Sequence, residues 1–288
     1  MYKILGMTAI AALLAGCADE VAEVIVPTDE EISVCSDPDD SETCIAIPAS
    51  GGVVTIGGLE AASYNGTTLR VQIALDGPNA LQTYEMVDDP RPDDYQKYTF
   101  EASERNRAYT ALAGRSSGGE VTAVVAMDSG QFNRFFAGAT VIQDQEAFSR
   151  PTAGTASYLG DYVGLIKIGT ETEPSEVRGL VFLNANFADN KVEGEMTDRV
   201  VVVGSAELDD LIFVNSDIKS DGIFGGGIEL DDNSPIGAYG GAFGGSSAGF
   251  VGGTVNVSGD LGGGLTGDEF GIFVIETCGA VGTDCFPD

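Results

Sequence analysis

Beyond Pro48 the chain is built from short apolar runs broken by turn residues, with almost no helical spacing. The runs "TLRVQIAL", "YQKYTFEA", "EVTAVVAM" and "QFNRFFAGATVI" are rich in β-branched and aromatic residues. Clusters such as "LDGPNA" and "DDPRPDD" separate them, which is how strands and their connections read. "ASERNRAYTALAG" (102–114) is the one fair helix candidate, although its Tyr109 and Thr110 suit a strand equally well. The clearest break is "FSRPTAGTAS", where Pro151 follows a polar stretch.

After that break, eight segments follow at near-regular spacing: "TASYLGDYVGLIKI", "EVRGLVFLNANF", "KVEGEMTD", "LDDLIFVNSDI", "GIFGGGIEL", "IGAYGGAF", "GFVGGTVNV" and "EFGIFVIE". The turn signals "FADNKV", "KSDG" and "DDNSP" lie between them. Eight short strands without intervening helices predict an up-and-down antiparallel barrel, whose closure removes sheet edges. In Gly237–Phe243 one parity reads Gly-Tyr-Gly-Phe and the other Ala-Gly-Ala. Alternation of large and small residues is how a narrow barrel fills its interior. The expected fold class is therefore all-β: an eight-stranded C-terminal barrel over 151–288, preceded by a smaller, handle-like β region over 49–150.

The ends add a location. "MYKILGMTAIAALLAG" has a basic Lys3 and an apolar core from Ile4 to Leu14, too short to span a bilayer. This predicts a signal peptide over 1–16. "LAGC" resembles the bacterial lipobox, in which Cys17 would carry the lipid. The expected partner there is outer-membrane lipid, since Ala18 rather than aspartate follows Cys17; resemblance to enterobacterial signals then favours passage to the outer membrane. Residues 17–48 read as an acidic tether.

The formal net charge of −31 disfavours nucleic acid and anionic lipid as partners. Setting Cys17 aside leaves four cysteines, and their spacing favours the local pairs Cys35 with Cys44 and Cys278 with Cys285. Disulfides suit an exported protein and each would contribute roughly 2–3 kcal/mol by the chain-entropy model. A metal site is disfavoured, because the chain has no histidine and neither pair is spaced C-x-x-C. The acidic cluster Asp37, Asp39, Asp40 and Glu42 misses the EF-hand pattern, which needs glycine where Glu42 stands.

The glycine-rich stretch also holds two motif matches. Gly245-Ser246-Ser247-Ala248-Gly249 spells G-x-S-x-G, but a strand-like run follows it and no histidine exists to take a proton. Gly262, Gly264 and Gly267 spell G-x-G-x-x-G, again before a strand rather than a helix N-terminus. Neither predicts catalysis or a cofactor, and "GGSSAG" reads as a hairpin loop.

"GAYGGAFGGSSAGFVGGTVNV" with "DEFGIFVIE" resembles the closing strands of the transferrin-binding protein B type of barrel. "RPTAGTASYLGDYVG" is similar to that family's opening, and "FLNANFADNKVEGEMTDR" to its central hairpin. The resemblance covers Pro151 to Glu276. It implies a surface lipoprotein whose barrel follows a handle domain, and a protein partner, a TonB-dependent receptor among the candidates. It transfers no ligand-contacting residue. The expected function is non-catalytic partner binding at the outer membrane, in iron or nutrient acquisition; the alternative is a structural or adhesive surface lipoprotein without a small ligand.

Overall fold

The computed structural model describes residues 31–35, 44–48, 52–73, 81–89, 91, 94–102, 107–130, 135–278 and 285, with no side-chain description for 31–35 and 44–48. The signal peptide, Cys17 and the cluster Asp37 to Glu42 lie outside these residues. Every regular element among them is a strand.

The first sheet contains β1 (Glu31–Cys35), β2 (Cys44–Pro48), β3 (Val53–Gly57), β4 (Leu59–Tyr64), β5 (Leu69–Ile73), β6 (Gln82–Met86), β7 (Gln96–Ala102), β8 (Arg107–Arg115), β9 (Val121–Asp128) and β10 (Ala137–Gln143). Its order is β1-β2-β3-β10-β9-β8-β7-β6-β5-β4, antiparallel throughout. The ends of the eight-strand run from β3 to β4 are consecutive in the chain. Gly57 turns the corner with φ 68°, and the Gly58 N–H donates to the Ala137 carbonyl at 2.7 Å. The sheet thus curls into a first barrel around Leu69, Val71, Tyr64, Tyr84, Tyr98 and Tyr109.

Of the stretch 102–114, residues 107–114 lie in β8, so the strand alternative holds there, and period-2 burial decides it. In β8, Tyr109, Ala111 and Ala113 point into the first barrel while Leu112 packs on its other face. A helix would present neither set together.

The second sheet comprises β11 (Thr155–Ile168), β12 (Ser175–Asn186), β13 (Lys191–Val201), β14 (Ala206–Glu207), β15 (Leu211–Asp217), β16 (Ile223–Glu229), β17 (Pro235–Gly244), β18 (Phe250–Asp260) and β19 (Thr266–Thr277). Pairing of β12 with β13 closes the order β12-β11-β19-β18-β17-β16-β15-β13 into the expected eight-stranded barrel. The first glycine motif is a loop between strands, and the second runs from such a loop into β19, where Gly267 lies. Gly245 to Gly249 joins β17 to β18, and Gly262 to Gly264 lies between β18 and β19.

Aromatic rings fill the second barrel. Phe213 stacks on Tyr239 at 4.6 Å, and Phe243 meets Phe224, Phe187 and Tyr158 at 5.0, 5.3 and 5.5 Å. Glycines make the room: a Cβ at Gly253 would overlap the Phe273 ring, and one at Gly271 would overlap the Tyr162 hydroxyl.

Charge is also buried here. Arg199 donates from Nη2 to Glu269 at 2.6 Å and from Nη1 to the Asp209 carbonyl, and both charged side chains are wholly buried. The Tyr162 hydroxyl donates to the second Glu269 oxygen at 2.7 Å. Burial, then the adjacent Glu269 carboxylate, pushes the Tyr162 phenol well above its ordinary range, so it stays a donor.

Strict alternation would place Arg199 outside with Glu193 and Glu195. Instead Asp198 takes φ 52°, and the β12–β13 register shifts between Arg178 and Leu180. This bulge re-aims Arg199 into the barrel. We predict that Arg199→Met, which strands a buried carboxylate, destabilises the protein by about 3–5 kcal/mol in chemical denaturation. Arg199→Met with Glu269→Leu should recover most of that loss; equal losses in the single and double variants would refute the pairing.

Candidate functional site

The second barrel is apolar outside as well as inside along one side. Val163 and Leu165 of β11, Ile223 of β16, Ala238 and Ala242 of β17, and Phe270 and Ile272 of β19 all face outward. They pack on Val54, Ile56, Leu112, Ala123, Val125, Met127, Ala139 and Val141 of the first barrel. Small residues bring the walls together. A Cβ at Gly244 would crowd Val121, and one at Gly252 would rest against Val121 and Val141. The two barrels therefore share one continuous apolar seam.

Polar contacts between the two barrels pin three margins of this seam. Between Leu159 and Tyr162 the ladder joining β11 to β19 is interrupted. The Tyr95 hydroxyl enters the gap, donating to the Asp161 carbonyl at 2.9 Å and accepting from the Val274 N–H at 2.8 Å. Its ring lies against Gly114, where any Cβ would collide with it.

At a second margin, Gln143 Nε2 donates to the Asp221 and Phe243 carbonyls at 2.9 and 2.6 Å. At the third, Glu176 of β12 accepts from Arg91 at 2.8 Å and pairs with Lys97 at 2.7 Å. Burial pushes the Glu176 carboxyl up, but Lys97 and Arg91 outweigh it and hold it below the ordinary carboxylate range. A depressed pKa stabilises the fold above the ordinary carboxylate range, and that contribution is lost as pH falls through the lowered value.

Two grooves flank the seam and a third lies away from it. One, of about 790 Å³, opens beside Glu176 and is lined by Asp89, the Thr170–Pro174 turn, Val202 and Val203. Another, of about 490 Å³, runs past Tyr95, Arg115, Asp161 and Phe250. A third, of about 400 Å³, lies on the far face between Phe182, Glu193, Glu195 and Ile212.

Elsewhere, Arg107 pairs with the buried Asp128 and sits 5.2 Å over the Phe136 ring. Burial raises the Asp128 carboxyl despite that partner, and Asp128 lines none of these three grooves. Among the described residues, no group of three or more His, Cys, Asp or Glu side chains is placed to hold a metal ion.

The sequence-derived site residues are scattered. Cys17 lies outside the described residues. Cys35 and Cys44 stand opposite each other in the antiparallel pair β1–β2. Cys278 and Cys285 form a disulfide just after β19, where the Cys278 N–H also donates to the Ser157 carbonyl at 2.8 Å. Cys278 and Cys285 line none of the three grooves.

Sequence reasoning passed over Tyr95, Gln143 and Glu176. The available signal was the run of apolar residues on both parities in β11, β17 and β19, which marks strands buried on two faces.

The chain is similar to solved transferrin-binding protein B structures. Intact Ap-TbpB, with N and C lobes, matches at TM-score 0.42 and 11% identity, over 84% of this chain and 63% of that one. A transferrin-binding protein B from Haemophilus parasuis Hp5 matches at 0.41 and 12%, over 85% of this chain and 63% of that one. A surface lipoprotein matches at 0.42 and 11%, over 79% and 99%. This chain thus spans about 63% of the first two proteins. The sequence matches no family model and no curated protein.

Removing the Tyr95 hydroxyl should show what the pin contributes. Tyr95→Phe keeps the ring and deletes both bonds, so a loss of roughly 1–3 kcal/mol is expected, with faster hydrogen exchange at Val274. Unchanged Val274 protection would exclude the pin. Separately, seam stability of the wild type should fall in acid, and Glu176→Gln should flatten that acid limb.

Proposed function

We propose that the protein is a lipid-anchored, non-catalytic lipoprotein of the bacterial outer-membrane surface that presents its paired barrels to a protein partner. In this reading residues 1–16 direct export, Cys17 carries the lipid, 17–48 form the tether, and the β regions 49–150 and 151–288 form the presented body. The observation that carries it is the filled interior of the second barrel. Eight-stranded barrels that carry a small ligand keep a central chamber for it; here Phe213, Tyr239, Phe243 and Phe273 occupy that space, with Arg199 and Glu269 beside them. Recognition is thereby left to the outer surface, where seam-flanking grooves are held by two walls that cannot shift independently.

The lipobox-like "LAGC" and the motif order over 151–276 support the surface location. The same resemblance supports iron or nutrient acquisition as the purpose. The charge of −31 favours partners with basic surfaces.

The anchor gives the direct test. Cys17→Ser should abolish incorporation of labelled palmitate and leave the protein unprocessed or released from membranes. Full membrane retention of the variant would contradict the reading. Expression that rises in iron-poor medium would support acquisition, and expression indifferent to iron would count against it.

A further inference from the structure

The groove beside Glu176 differs from the rest of the surface in two respects. Val202 and Val203 stand in it at 38% and 76% exposure, two of the three exposed large apolar side chains among the described residues. They form the first half of the turn between β13 and β14, whose second half is Gly204 and Ser205 at φ 86° and 52°. Nothing in the turn requires valine, and turn positions normally carry polar residues.

The second respect is charge. Glu176 engages both Arg91 and Lys97. Asp89, Glu171 and Glu173 line the same groove, exposed, and none of the three has an ion pair among the described residues. Arg178 lines the groove as well, so its four carboxylates (Asp89, Glu171, Glu173 and Glu176) face two cations (Lys97 and Arg178) and the balance stays negative. Exposed aliphatic side chains between unneutralised carboxylates suit a ligand that brings both apolar contact and positive charge.

We infer that this groove docks an extended segment of a protein partner carrying alternating basic and aliphatic side chains. The inference rests on the partner-binding reading above and names the chemistry of the partner. Charge rules out the obvious alternatives. A second copy of this chain brings −31, and its own residues 18–32 are acidic, so both are repelled. Nucleic acid and anionic lipid are repelled for the same reason.

The test uses the full-length chain, purified in non-ionic detergent, and a fluorescein-labelled hexapeptide of alternating leucine and lysine. A glycine–lysine hexapeptide supplies charge without the aliphatic groups. The leucine–lysine peptide should bind, more tightly at low salt, and the glycine–lysine peptide should bind much more weakly. Paired substitutions Val202→Ser with Val203→Ser, and Glu171→Gln with Glu173→Gln, should each weaken binding roughly tenfold, about 1.4 kcal/mol.

Glu193→Gln with Glu195→Gln, on the far face, removes the same charge and should change affinity by less than about twofold. Equal effects from the groove and far-face pairs, or equal binding of both peptides, would show that net charge alone is responsible and overturn the docking site. If that happens while the wild-type chain is displayed on intact cells, only the groove is lost. A chain absent from the cell surface would overturn the partner-binding reading beneath it.

Discussion

A barrel with aliphatic side chains on its outer wall cannot remain bare in water, and the rest of this structure follows from how that wall is covered. Val163, Leu165, Phe270 and Ile272 form the wall, and β3, β8, β9 and β10 of the first barrel cover it. Each fully buried side chain of this size stabilises the pair by roughly 1.5–3 kcal/mol relative to exposure. Gly244, Gly252, Ala238 and Ala242 keep that wall flat enough for Val121 and Val141 to reach it. The glycine-rich stretch therefore serves two partners, aromatic rings within the barrel and a second barrel outside it.

Polar groups give the seam its register. Apolar packing is non-directional, whereas the Tyr95 hydroxyl fits only the interruption between Leu159 and Tyr162, and Gln143 only the two carbonyls it meets. Glu176 adds a third fixed point through Arg91 and Lys97. The grooves on either side inherit this rigidity. A surface whose two walls cannot slide loses little conformational entropy when a partner arrives.

Much of the second barrel was legible in the sequence because its segments are short, turn-bounded and regularly spaced. "TASYLGDYVGLIKI" coincides with β11, and Asn190, Gly222 and Asn233 take the positive φ values that their turn signals suggested. The first barrel was harder to read. Its β6 is only five residues long, and the sequence of 102–114 looks helical because alanine and arginine are strong helix formers. Arg199 was invisible for a different reason. One bulged residue, Asp198, reverses the parity of everything after it, and alternation cannot anticipate a bulge. Tyr95 was hidden because its partners are backbone groups some 66 and 179 residues away, a relation with no local pattern.

If the seam is as dominant as this geometry implies, the paired barrels unfold as one cooperative body. Differential scanning calorimetry of the lipid-free body tests this most directly. A single transition with matching calorimetric and van't Hoff enthalpies is the predicted result. Two resolved transitions, one for each barrel, would contradict the account.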